Sequence, residues 1–144
     1  MLGARRYEKM MTIPPPPTAG SSIDWLTCLG EQLVLAGGFT DQLELQWLSE
    51  VYTKSYPELR IEQGDRWIKA SLLLYFVLVK CSDNGPDKAL KRLLDNERRM
   101  SMSPSVSGET LGRVAGGRLL VKRIVEYHRT QPAMAQRYSY EDMD

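Results

Sequence analysis

The segment Gly112 to Leu119 reads Gly-Arg-Val-Ala-Gly-Gly-Arg-Leu and places two glycines at the spacing of a phosphate-binding loop. That chemistry needs a lysine and then a hydroxyl residue, to reach the phosphates and a magnesium ion, with a strand leading into the loop. Here Arg118 and Leu119 hold those positions and no strand pattern precedes them. The expected role of Gly112, Gly116 and Gly117 is instead to admit another helix at close range or to mark a kink. His128, the single histidine, has neither a nucleophile nor an orienting acid at a telling distance along the chain. Ser107-Gly108 lacks the flanking glycines of a nucleophile elbow. Carboxylates such as Glu44 and Glu50 show no spacing that singles out an acid–base couple. The sequence thus predicts no enzyme.

Cys28 and Cys81 lie far from each other and from His128, so no pair has metal-ligand spacing, and neither a metal nor a cofactor is expected. Each cysteine sits in an apolar run, which predicts a reduced, buried packing residue. The N-terminus shows no secretory signal, since no apolar stretch follows Arg5 and Arg6. The ten residues from Ala70 to Val79 are too few for a hydrocarbon core that needs ~20. These readings predict an intracellular protein of a reducing compartment, cytoplasmic or nuclear, with no transmembrane segment.

Charge is the informative property. From Met11 to Gly64 seven acidic residues stand against two basic ones; from Lys80 to Arg137 twelve basic residues stand against six acidic ones. The net charge of +1 conceals this split. It predicts an anionic partner for the C-terminal half, or copies that associate acidic half to basic half.

At 100° per residue, Lys88, Lys91, Arg92, Arg98 and Arg99 fall on one side of a helix interrupted only by Asp95, with Leu90, Leu93 and Leu94 opposite. On the last helix Arg118, Lys122 and Arg129 line up away from Val114, Val121, Ile124, Val125 and His128. The plain reading is two solvated faces with internal ion pairs. The functional reading is one exposed cationic surface for a partner or an anion, built from Lys88, Lys91, Arg92, Arg99, Arg118, Lys122 and Arg129. Nucleic acid, through its backbone phosphates, is the alternative ligand, and anionic membrane a third. Few aromatic residues adjoin the basic ones, which argues against base stacking. Ser101, after Arg98-Arg99-Met100, and Ser103, before Pro104, are candidate phosphorylation sites beside this cluster.

The elements that must position these residues are helical throughout. Residues 1–21 read as a flexible leader carrying the run Pro14 to Pro17, with Met11 a second natural starting point. Residues 22–130 form the helical domain, and residues 131–144 a mobile acidic tail bearing Tyr138 and Tyr140. Within the domain the pattern predicts helices over 22–36, 41–56 (capped by Thr40, stopped by Pro57), 65–81, 86–99 and 109–129. Trp25, Trp47 and Trp67 fall one to each of the first three and are expected in the core. The fold class is therefore all-α: a single compact domain of about five helices, with the apolar helix through Ala70–Val79 at its centre, packed by helices one, two and five. The function expected is that of a non-enzymatic interaction or assembly protein that engages a protein partner, or itself as a homo-oligomer, through charged helix faces. The size and the proline-bearing leader suit a small viral or regulatory factor.

Overall fold

The structure, a computed structural model, describes Tyr7 and residues 22–85, 87–102 and 115–142, without the side chains of residue 22 and residues 130–142. The described chain is all-α. In order come α1 (Ser22–Gly37), α2 (Leu43–Ser49), a 3-10 turn (Glu50–Tyr52), α3 (Tyr56–Leu59), α4 (Asp65–Asn84), α5 (Lys88–Met102) and α6 (Gly117–Asp142). No helix among the described residues is long and apolar enough to cross a membrane.

Local chemistry explains where the elements begin and end. The expected helix over 41–56 is broken in two. Gln42 sits in the left-handed region (φ 56°), and the Asp41 carboxylate accepts the Leu43 N–H at 3.1 Å, so α2 starts two residues late. At the other end Glu58 accepts hydrogen bonds from the Ser55 N–H (3.3 Å) and hydroxyl (2.9 Å). This capping box starts α3, and Pro57 lies in the first turn of the new helix rather than stopping the old one. Asp87 opens α5 by accepting the Leu90 N–H at 3.0 Å. The backbone of α6 continues through Pro132 to Asp142, past the expected stop and along what was read as a tail. A proline costs one ladder bond there without ending the helix.

The core joins Leu29 and Leu33 of α1, Trp47 and Leu48 of α2, Leu59 of α3, Leu74 and Leu78 of α4, Leu90 and Leu94 of α5, and Leu119, Leu120, Val121, Ile124 and Val125 of α6. α4 packs on α6 and α5, while α1 packs on α2 and reaches α6. α6 also meets α3 and the 3-10 turn, and it touches α2 through Arg118 and Trp47. It enters this position on glycine. A β-carbon at Gly116 would collide with the Leu59 carbonyl oxygen, and one at Gly117 with that of Ser71. The close approach expected of these glycines is thus present, and the Ser71 hydroxyl accepts the Gly117 N–H at 2.8 Å. Gly112 lies outside the described residues.

Trp25 and Trp47 are buried as expected, and Trp47 stacks on the partly buried Trp67 with centroids 5.1 Å apart. Tyr7, assigned to the leader, is buried too, its N–H bonded to the Ala36 carbonyl at 3.0 Å. Neither cysteine is buried: Cys28 is exposed on α1 and Cys81 half-buried on α4, both as free thiols. Cys28 falls beside the core-facing stripe of α1, and Cys81 lies past Leu78, the last buried residue of α4.

Candidate interaction surface

Most of the cations face inward or are matched within the fold, and this sorting defines the site. Arg118 follows directly on the glycine approach, so its side chain enters the core between α2, the 3-10 turn and the segment before α4. It is 3% exposed. Its Nε and Nη2 donate to the two oxygens of Glu62 at 2.6 and 2.7 Å, and Nη1 donates to Glu50 at 2.6 Å and to the Trp47 carbonyl at 2.9 Å. The guanidinium also lies 4.7 Å from the Trp47 ring centroid. A planar fork held on five sides is the arrangement arginine makes and lysine cannot. Arg118 therefore does not belong to an outward cationic patch. The expectation fails because helical angle alone cannot distinguish a polar face turned to water from one turned to buried carboxylates.

Lys122 is also engaged: its ammonium donates to the Val51 carbonyl at 3.0 Å, above the Tyr56 ring and near Glu126. Arg123, which the sequence did not single out, reaches the buried Glu97 at 2.5 Å and lies over Tyr56, whose hydroxyl donates to Glu126. Lys91 sits between Asp95 (3.2 Å) and Asp83 (3.7 Å). Arg98 donates to Asp95 at 2.9 Å and to the Tyr75 hydroxyl at 3.1 Å. The hydrogen bond from Lys91 holds the Asp95 carboxyl below the usual range, and Arg98 is raised, chiefly by Tyr75.

A second inward arginine went unforeseen. Arg66 binds Asp41 through two bonds of 2.7 and 2.8 Å, meets Glu44 at 3.1 Å, donates to the Tyr7 hydroxyl at 3.2 Å, and stacks 3.7 Å from the Phe39 centroid. Glu44 is fully buried and accepts from the Tyr7 hydroxyl.

The cations left without a described partner are Arg60, Lys80 and Arg129, which stand apart from one another, and three that share a face. Lys88, Arg92 and Arg99 are exposed on one face of α5, with Ala89, Asn96 and Met100 among them, and no ion pair or hydrogen bond ties their side chains to other described residues. Arg129 is exposed on α6, a separate element. Of the candidate phosphorylation sites, Ser101 is buried and Ser103 lies outside the described residues. An opposite face exists on α1. Asp24 and Glu31 are exposed there without a described partner, on the same side as Cys28 and the apolar side chains of Ile23 (69% exposed) and Leu35 (77% exposed).

Two other places hold polar chemistry. A groove of about 590 Å³ runs over Trp47 and Trp67 between Glu50, Lys54, Glu58 and Glu62. Its Glu50 and Glu62 are taken by Arg118, Lys54 pairs with Glu50 at 3.4 Å, and Glu58 holds Ser55. Its charges thus already answer one another. His128 stands edge-on to Tyr127 with its Nε2 buried and without a hydrogen-bond partner, and burial lowers its pKa. The Tyr127 hydroxyl donates to Asp87 (2.9 Å).

The chain matches no family model, no curated protein and no solved structure.

Proposed function

We propose that this chain is a non-enzymatic interaction protein that docks the outer face of α5 onto an acidic protein surface. The observation that carries the reading is the contrast between matched and unmatched cations. Arg66, Lys91, Arg98, Arg118, Lys122 and Arg123 are consumed within the fold, whereas Lys88, Arg92 and Arg99 share one outward face with no described partner. Unscreened like charges four and seven residues apart repel mildly, and an anionic surface relieves that repulsion while steering the encounter. A protein partner is preferred over nucleic acid because the face offers Asn96, Ala89 and Met100 between its cations and no ring on which a base could stack.

The test is a titration of the protein into a labelled acidic helical peptide and into labelled single-stranded RNA, each at low and high ionic strength. The expected result is salt-sensitive binding of the peptide that is lost in Arg92→Glu/Arg99→Glu and kept in Arg129→Glu. Binding of RNA but not of the peptide would replace this reading with phosphate recognition. Binding of neither would remove it.

A further inference from the structure

The acidic face that fits α5 is present on the chain itself. Asp24 and Glu31 on α1 are seven residues apart, and so are Arg92 and Arg99 on α5, about 10 Å along each helix axis. All four are exposed, and none has a described ionic partner. Laid antiparallel with Glu31 opposite Arg92, the two helices place Asp24 opposite Arg99 in the same register. That register also sets the exposed Ile23 against Met100, Val34 against Ala89, and Leu35 against the aliphatic stem of Lys88. Both charges and both apolar ends are therefore satisfied together. Within one chain the two faces are kept apart, since α1 packs on α2 and reaches α6 while α5 packs on α4 and α6.

We infer that the chain self-associates head to tail, the α1 outer face of one copy lying on the α5 outer face of the next. The inference rests on the docking role proposed for α5 and names a second copy as the occupant. The two faces differ, so the contact is heterologous. Each added copy leaves one α1 and one α5 face free, and assembly continues as a ring or an open chain. Exposed ion pairs contribute little singly, so the burial of Ile23 and Leu35 supplies the adhesion and the charges set the register.

The experiment is sedimentation of the full chain over a range of concentrations at low and high ionic strength, together with the rate at which Cys28 reacts with a maleimide. Cys28 lies on the α1 face between Asp24 and Glu31 and serves as its reporter. The expected result is a mass that rises with concentration and falls with salt, with Cys28 protected as the mass rises. Arg92→Glu/Arg99→Glu and, separately, Glu31→Lys should each weaken association by ~10-fold or more and restore Cys28 reactivity. Glu31 lies mid-helix, so its reversal avoids the helix-start effect that Asp24 would add. Mixed together, the two variants should associate again, to at least twice the monomer mass, because one keeps an intact α1 face and the other an intact α5 face. A wild-type chain that stays monomeric, variants that assemble as it does, or a mixture that stays monomeric would each overturn the inference. A monomer that still binds the acidic peptide through Arg92 and Arg99 would sink this inference alone and leave the α5 docking role standing.

Discussion

Arg118 and Glu62 face each other through two parallel hydrogen bonds of 2.6 and 2.7 Å, at 3% and 6% side-chain exposure. Fifty-six residues separate them in sequence, and their pairing fixes the start of α6 against the segment that leads into α4. Trp47 joins both partners, donating its indole N–H to Glu62 at 3.2 Å and accepting from Arg118 at its carbonyl oxygen at 2.9 Å.

Removing the arginine strands buried charge. Arg118→Met leaves Glu62 with the indole alone and frees Glu50 only to Lys54, and it should lower stability by about 3–5 kcal/mol in urea unfolding. Arg118→Lys should recover little of that loss, because one ammonium cannot serve two carboxylates and a carbonyl in this geometry.

Tyr7 should report itself at high pH. Burial first, and then its hydrogen bond to Glu44, push its phenol up to about 12. Its folded value lies above the unfolded one, so its contribution is intact below pH ~10 and is lost as pH climbs through about 12. Tyr7→Phe should cost about 1–3 kcal/mol at neutral pH, since Glu44 stays buried with Arg66 alone. Removal of residues 1–10 should cost at least as much. Chemical unfolding at neutral and alkaline pH checks both.

His128 should dominate the mildly acidic range. Burial holds its folded pKa below the unfolded value of ~6.5, so the unfolded chain binds the extra proton first. Stability should decline as pH falls from ~6.5 toward the lower folded value, and His128→Gln should flatten that slope. Further loss should begin only below pH ~4.5. There Glu50, held down by Arg118 and Lys54 against the opposing effect of burial, and Asp95, held down by Lys91, take up protons.

Gly117→Ala should cost more than a methyl group usually does. The added carbon meets the Ser71 carbonyl and lies 2.9 Å from the Leu74 β-carbon, both on a packed helix with no room to move. A loss of about 1–3 kcal/mol or more in thermal unfolding is expected.

The α5 stripe should behave oppositely. Arg92→Glu/Arg99→Glu breaks no described contact and should leave urea stability within ~0.5 kcal/mol per site. That difference from Arg118 separates a surface kept for something else from a charge the fold needs.

The helical class, the glycine approach at Gly116 and Gly117, and the burial of Trp25 and Trp47 were legible because each follows from local pattern. The fate of individual cations was not. Arg118 does carry a signal: it is the lone charge in Val114-Ala115-Gly116-Gly117-Arg118-Leu119-Leu120-Val121, a stretch otherwise too apolar and small to face water. Its helical angle nevertheless placed it with Lys122 and Arg129. Glu44 and Arg66 gave no such signal, since their partnership depends on Tyr7 and Asp41 arriving from distant parts of the chain. The break between α2 and α3 was readable in Ser55-Tyr56-Pro57-Glu58, where serine, proline and glutamate hold the positions of a helix start. Asp24 with Glu31 and Arg92 with Arg99 were visible singly; only knowledge of which neighbours were already spoken for isolates them.

The pairing of Arg118 with Glu50 and Glu62 also orders events on the ribosome. Both carboxylates are synthesised more than fifty residues before the guanidinium that unites them, and until it emerges Lys54, beside Glu50, is the one cation that the described structure sets next to either. A nascent chain that ends before α6 has a ready floor and walls without the piece that locks them. Leu119, Leu120, Val121, Ile124 and Val125 of α6 belong to the same core, so the core is whole only once the C-terminal helix has been made.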